Sequence, residues 1–280
     1  MLRFTKMQGC GNDYIYINCM EEIVKDPQKL AITMSERHFG VGADGLVLIY
    51  PSAIGDFRMQ MFNLDGSESE MCGNAVRCIG KYVYERGLTH KTRILLETKG
   101  GVRYLDLHIE NGIVEAVTVD MGEPIFEPEE IPVKSKKNPV IGEKVQLLDQ
   151  TLEFTCLSVG NPHAVTFVDS VANFPVEKYG KIAETHPIFP NRANIEFVEV
   201  VNESYVKMRV WERGSGETWA CGTGATASVA ACVLNGRTGR KVNVELLGGT
   251  LTIEWSEDDN HLYMTGPAAF SFDGVWLGEV

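Results

Sequence analysis

Apolar residues along the chain fall mostly in short runs or in strict alternation, broken by Gly, Pro, Asn and Asp, which is a strand-rich pattern. It predicts strands at 2–7, from Tyr14 to Ile17, and at 45–50, 57–62, 92–97, 101–109 and 113–120. Hairpin signals lie at Lys99-Gly100-Gly101 and Glu110-Asn111-Gly112. The period changes at Ala75, Val76, Ile79 and Val83, with Tyr82 beside them. That is helical spacing, and Gly87 stands where the helix should stop. Asp26-Pro27 opens another predicted helix, to about His38, with proline at its first position. Residues 122–140 hold Pro124, Pro128, Pro132, Pro139 and many charges, and read as a linker. Strands are expected again at 144–149, 151–158, 195–200, 204–211, 241–246, 250–255 and 261–265. Helices are expected over 175–185 and, rich in small residues, up to Leu234. The apolar tail from Phe270 to Leu277 is β-like and suited to packing back on the first half.

One constant shift relates the two halves. Cys72-Gly73, after a polar turn, falls on Cys221-Gly222, an offset of 221 − 72 = 149. The same shift carries Glu68 to Glu217, Ser69 to Thr218, Gly87 to Gly236, and Gly11-Asn12 to Gly160-Asn161. It also carries the alternating Phe57, Met59, Met61 to Val206, Met208, Val210. Agreement of residue type in separated blocks at one offset argues for a duplicated unit. The expected fold class is therefore α+β, with each half a mostly antiparallel or mixed sheet wrapped around one small-residue helix. The expected domains are 1–120, joined by a returning strand from 269–280, and 121–268.

A length of 280 residues with 44% hydrophobic composition suffices for two domains with their own cores. The net charge of −12 argues against a nucleic-acid partner. No apolar stretch approaches the length of a membrane span, and no secretory leader pattern opens the sequence. Seven cysteines, an odd number, suit free thiols in a reducing cytoplasm.

The candidate chemistry lies at the two matched cysteines. A cysteine at a helix N-terminus meets backbone N–H groups and the positive end of the macrodipole, which lowers a thiol's pKa and suits a carboxylate ligand. The alternative for Cys72 alone is a small buried apolar residue capped by chance. Two such thiols on either side of one carbon suit stereoinversion, one face losing a proton and the other gaining one, with no cofactor if the carbanion is stabilised. Asn12 in its Gly-rich loop either offers an amide to a polar ligand or makes an Asx turn. The glycine-rich 39–45 loop lacks the P-loop pattern. Cys72 and Cys78, spaced C-x5-C, fit neither a redox pair nor common zinc spacings, so no metal is expected. Cys78, Cys10, Cys19, Cys156 and Cys232 read as structural. A proline-type racemase, a thiol redox or metal protein and a non-catalytic binding module are the alternatives.

The stretch from Asn63 to Arg77 resembles the first-cysteine signature of the diaminopimelate epimerase family, N-x-D-G-S-x4-C-G-N-[GA]-x-R, at every fixed position. Gly160-Asn161-Pro162-His163, Arg192-x-Asn194, Glu212-Arg213-Gly-Ser-Gly-Glu-Thr and Ala-Cys221-Gly222-Thr223-Gly also resemble family motifs, in order. The resemblance spans essentially the whole chain. It implies interconversion of LL- and meso-2,6-diaminoheptanedioate in lysine and peptidoglycan precursor synthesis, without pyridoxal phosphate or metal, by two pseudo-symmetric domains in a homodimer. Carried over by motif, Cys72 and Cys221 are the acid/base thiols. The N–H groups of Gly73-Asn74 and Gly222-Thr223 hold the reacting carboxylate. Asn12, Asn63, Asn161, Asn194, Glu212 and Arg213 grip the distal amino-acid end, Arg213 as a bidentate fork. His163 and Glu212 tune a cysteine's protonation; the plain alternative for His163 is a satisfied loop histidine. Some family members carry Gln where this chain has Gly45, and an aromatic that helps dimerisation corresponds to Phe272.

Overall fold

The computed structural model describes residues 1–279. The chain divides into two compact units: Met1–Val119 together with the stretch from Gly266 onward, and Asp120–Thr265. Val280, the last residue of the expected returning segment, lies outside the described residues.

In the first unit, β1 (Leu2–Gly9) and β2 (Asn12–Asn18) form an antiparallel pair. A crossover through α1 (Pro27–Ser35) lays β3 (Gly45–Pro51) parallel to β2. β4 (Phe57–Asn63) returns antiparallel, and the two-residue β5 (Glu68–Ser69) folds back on it just before α2 (Gly73–Glu85). β6 (Arg93–Thr98) lies parallel to β4, and β7 (Gly101–Glu110) and β8 (Ile113–Gly122) follow as a meander. β2 and β3 are buried along most of their length because α1 covers one face and α2 the other. Their apolar runs Tyr14-Ile15-Tyr16-Ile17 and Leu46-Val47-Leu48-Ile49 fit that double burial. Ile15, Ile17, Leu46 and Leu48 pack with Leu30, Ala31 and Met34 of α1. Tyr16 reaches Ala75 O on α2.

The second unit repeats this order. β9 (Glu143–Leu147) pairs with β10 (Gln150–Ser158), which pairs with β11 (Pro162–Phe167). The crossover through α3 (Val176–Glu184) leads to β12 (Asn194–Asn202), parallel to β11. β13 (Tyr205–Glu212), β14 (Gly216–Thr218), α4 (Gly222–Leu234), β15 (Lys241–Leu246), β16 (Gly249–Trp255) and β17 (Leu262–Gly266) follow. The matched helices begin 149 residues apart, α1 with α3 (176 − 27 = 149) and α2 with α4 (222 − 73 = 149). α4 touches β10, β11, β12, β13, β15 and β16, so the sheet curls around it. Its Ala225, Ala227, Ala230 and Ala231 leave room for that enclosure, and larger side chains there would overpack. In the first unit the outer partner of β1 is β18 (Ala269–Trp276), from the end of the chain; β9 holds the same place beside β10.

Two details differ from the sequence reading. α1 ends at Ser35 rather than near His38, because Glu36 is extended and the chain turns back. Val41 and Gly42 N–H bond to Met34 O, and Ala43 N–H bonds to Ser35 O, filling the last turn's carbonyls. The proline-rich 122–140 stretch is not a loose linker: Ile131, Val133 and Val140 are buried in the second unit's core.

α2 and α4 stop by the same device. Gly87 bonds to Tyr84 O and Leu88 to Val83 O; Gly236 bonds to Val233 O and Arg237 to Cys232 O. This is the Schellman pattern, and the glycines sit at φ 71° and 62° with nothing within 4 Å of an added Cβ. Gly87→Ala and Gly236→Ala should therefore each cost about 1 kcal/mol of backbone strain and nothing steric. Urea denaturation should show two similar, additive losses.

Candidate active site

Cys72 is the N-cap of α2 and half-buried. Its thiol donates to Asn12 Oδ1 at 3.3 Å, and Asn74 Nδ2 donates to the same oxygen at 3.3 Å. The other end of the Asn12 amide, Nδ2, donates to Asp44 Oδ2 at 2.7 Å. Arg37 binds both Asp13 and Asp44, and Lys6 pairs with Asp13 at 2.5 Å. Burial, then the neighbouring Asp13, pushes the Asp44 carboxyl up; burial works the same way on Asp13, but hydrogen bonds from Lys6 and Arg37 hold it down. Arg77, fully buried, donates to Asn74 Oδ1 at 2.9 Å and Gly73 O at 3.3 Å, tying the first turn of α2 in place.

Cys221 is the N-cap of α4 and is buried. Its Sγ accepts from Gly224 N–H at 3.3 Å and lies 3.4 Å from Thr223 Oγ1. Thr223 Oγ1 in turn accepts from Asn161 Nδ2 at 3.4 Å, and Asn161 Oδ1 lies 2.8 Å from His163 Nε2. Glu212, at the end of β13, hydrogen-bonds the Thr218 hydroxyl and lies against the Cys221 thiol. Burial pushes the Glu212 carboxyl up, and Thr218 and Cys221 pull it back.

The expectation of a lowered thiol pKa is corrected at Cys221. Burial first, then the charges of Glu212 and Glu196, push this thiol well up, against the opposing Thr223 hydroxyl and Gly224 N–H. A helix N-terminus contributes about 0.3–2 kcal/mol, whereas full burial moves a group by up to about 3–5 pK units at roughly 1.4 kcal/mol each. Burial wins. A thiol in this setting holds its proton until a base takes it, and Glu212 is the carboxyl beside it.

The remaining predicted residues are placed as follows. Asn194 Oδ1 accepts from Arg213 N–H at 2.9 Å, and its Nδ2 donates to Pro162 O at 3.0 Å, so one side chain joins the 160–163 loop to the 213 turn. The Arg213 guanidinium bonds only Asn191 O, at 3.4 Å, and forms no salt bridge among the described residues. Asn63 closes its own turn, its Nδ2 donating to Ser67 Oγ at 3.0 Å. Gly73-Asn74 and Gly222-Thr223 open their helices, where N–H groups have no i−4 carbonyl. His163 lies on β11, fully buried, and is not a loop residue. Gly45 opens β3, where an added Cβ would sit 2.1 Å from Phe62 O, so no side chain fits without moving β4. Cys78, Cys10, Cys156 and Cys232 are buried and Cys19 half-buried, all as free thiols. A separate cavity of about 500 Å³, lined by Leu152, Phe167, Phe174 and Tyr179 among others, holds none of the expected site residues.

The sequence reading missed two carboxylates: Asp44, which turns Asn12, and Glu196. Glu196 is fully buried on β12, with Oε1 2.7 Å from His163 Nδ1. One signal was available for Glu196. At the offset of 149 it falls on Val47 (196 − 149 = 47), a charge where the first copy is apolar.

The family model described as diaminopimelate epimerase matches residues 4–127 and 155–271. The chain belongs to the diaminopimelate epimerase family. It is 57% identical over 280 residues to the protein of that name from Acetivibrio thermocellus, covering 100% of both chains. It is 56% identical to the one from Methanococcus maripaludis strain C6 over 98% of this chain and 99% of the relative. The fold is shared more widely. A probable proline racemase from Agrobacterium radiobacter K84 superposes with a TM-score of 0.74 at 15% identity, over 99% of this chain and 94% of that one. A hydroxyproline epimerase from Agrobacterium vitis does so with a TM-score of 0.70 at 15% identity, over 98% and 90%. Membership makes the chain an isomerase of the epimerase class with the two-domain α+β fold.

Because its thiol is pushed up, Cys221 in a Cys72→Ser background should react slowly with iodoacetamide at neutral pH. The rate should still be rising above about pH 10, where an ordinary thiol, with a pKa of about 8.5, has levelled. Mass-spectrometric alkylation rates across pH check this.

Proposed function

We propose that this chain interconverts LL- and meso-2,6-diaminoheptanedioate by proton transfer between two cysteines, as a step supplying lysine and peptidoglycan precursors. One observation carries the reading. Two thiols cap two matched, enclosed helices, Cys72 bonded to Asn12 and Cys221 linked through Thr223 to Asn161, in a chain more than 50% identical to proteins named for that reaction.

The chemistry needs one sulfur to take the α-proton and the other to deliver one to the opposite face. In one direction Cys221, relieved of its proton by Glu212, is the base and Cys72 the acid; in the other the roles exchange. The first-turn N–H groups of Gly73-Asn74 and Gly222-Thr223 hold the reacting carboxylate and spread the carbanion's charge, which is the work a cofactor would otherwise do. Asn12, Asn63, Asn161, Asn194, Glu212 and Arg213 hold the distal amino-acid end. The guanidinium of Arg213, which has no salt bridge among the described residues, favours a substrate with a second carboxylate over a proline-like one. Anchoring that end leaves only the near α-carbon in reach of the thiols. In this reading each unit is one epimerase domain, and the protein works in the cytoplasm with its seven thiols unpaired.

A homodimer completes the reading. Phe272, Val275 and Leu277 of the returning segment are large, apolar and at least half-exposed beside β1, and Phe272 stacks edge-on against Phe4. Phe272→Glu should shift the protein to monomer, read by light scattering.

Cys72→Ala and Cys221→Ala should each abolish epimerisation with circular dichroism unchanged. Full turnover by either variant ends the two-thiol scheme. In D2O with no cofactor added, deuterium should enter only the inverted α-carbon, with proline and glutamate unlabelled. Label at both α-carbons would count against the anchored distal end.

A further inference from the structure

Asn12 and Asn161 occupy matched positions, yet their amides point opposite ways. Asn12 gives its NH2 end to Asp44 and its carbonyl to the Cys72 thiol. Asn161 gives its carbonyl to His163 and its NH2 end to Thr223. The residues behind each amide explain the reversal. A carboxylate accepts hydrogen bonds only, so Asp44 demands the NH2 end. In the second unit a carboxylate is again present, but an imidazole stands between it and the amide. Glu196 Oε1 takes the Nδ1 side of His163 at 2.7 Å, and the Nε2 side meets Asn161 Oδ1 at 2.8 Å. The first copy has Tyr14 and Val47 where the second has His163 and Glu196 (163 − 149 = 14; 196 − 149 = 47).

We propose that Glu196 is a positioning residue for Cys221: by holding His163 it turns the Asn161 amide, so that the Thr223 hydroxyl is directed at Cys221 Sγ. The chain of donors runs one way. Thr223 Oγ1 accepts from Asn161, which leaves its own proton for the sulfur, and Gly224 N–H supplies a second donor. Cys72 meets an acceptor where Cys221 meets donors. The duplicated fold thus presents one sulfur as a proton holder and cushions the other for the charge it bears after proton loss.

Among the described residues Glu196 Oε2 has no hydrogen-bond partner, and a Cβ on Gly224 would lie 2.8 Å from Oε1, so glycine at that position lets the carboxyl lie against the first turn of α4. A buried carboxyl–imidazole pair is weak evidence of stabilisation, since an apolar residue, Val47, does that work in the first copy. The titratable groups around the pair are Cys156 on β10, Glu212 on β13 and Cys221 itself.

This rests on the epimerase reading, and two measurements separate the failures. Glu196→Gln should lower kcat/KM about 10–100-fold, as when the outer partner of a working histidine is lost. In a His163→Asn background it should change kcat/KM by less than about twofold, because the two act as one unit. A double variant showing the product of the single losses, or a folded Glu196→Gln with wild-type kcat/KM, overturns the proposal. The second readout needs no activity and no Glu196 variant. Long-range 1H–15N spectra of the wild-type protein, with His163 assigned by its loss in His163→Asn, should show the proton that faces Asn161 on His163 Nε2, because Asn161 Oδ1 only accepts. A bare Nε2 in the wild type overturns the proposal, even if epimerisation proceeds. A protonated Nε2 in an inactive wild type would uphold the geometry while the substrate assignment fell.

Discussion

The first turn of an α-helix carries backbone N–H groups that its own carbonyls cannot reach, and the rest of this structure is arranged around that shortage in α2 and α4. Each helix is enclosed by its sheet, so its length, its small residues and its Schellman stop are dictated by packing. Its N-terminal end is the one place where polar backbone must find something other than sheet. In both units a cysteine caps that end, a Gly-Asn loop leans over it, and a short strand, β5 or β14, delivers the chain to it.

Enclosure has an electrostatic consequence. A thiol at an open helix N-terminus is acidified by its position; Cys221, drawn into the wrap beside two carboxyls, is made less acidic. The same burial that disfavours a thiolate also strengthens every hydrogen bond offered to it. A sulfur that holds its proton at rest and meets Gly224 N–H and the Thr223 hydroxyl when it lets go suits a group that must serve as acid in one direction and base in the other.

Duplication supplied the frame, and divergence within it supplied the asymmetry. The strand order around β1 to β8 recurs around β10 to β17, and the outermost place is taken by β18 in one unit and β9 in the other. On this common frame Tyr14 and Val47 in one copy stand against His163 and Glu196 in the other, and Asn63 stands where the second copy has Glu212 (212 − 149 = 63). Identical scaffolds with unlike second partners give two thiols of unlike surroundings.

Much of this was legible in the chain. Period-2 runs and helical spacing located the strands and helices because those signals are local. The offset of 149 exposed the repeat because helix starts, turn glycines and cysteines recur at it. The end of α1 was misjudged because the 36–43 turn folds back and caps it through backbone hydrogen bonds from Val41, Gly42 and Ala43, and the 122–140 stretch was misread because its composition is that of a linker while its few apolar residues are core. What only the tertiary structure decided was partnership and environment. Glu196 shares its face of β12 with Val198 and Val200, and it is buried because β12 packs against both α3 and α4. Its pairing with His163, the opposed amides of Asn12 and Asn161, and the upward push on Cys221 all arise between strands distant in sequence. Burial and hydrogen-bond partners are properties of the packed chain, and no window of residues contains them.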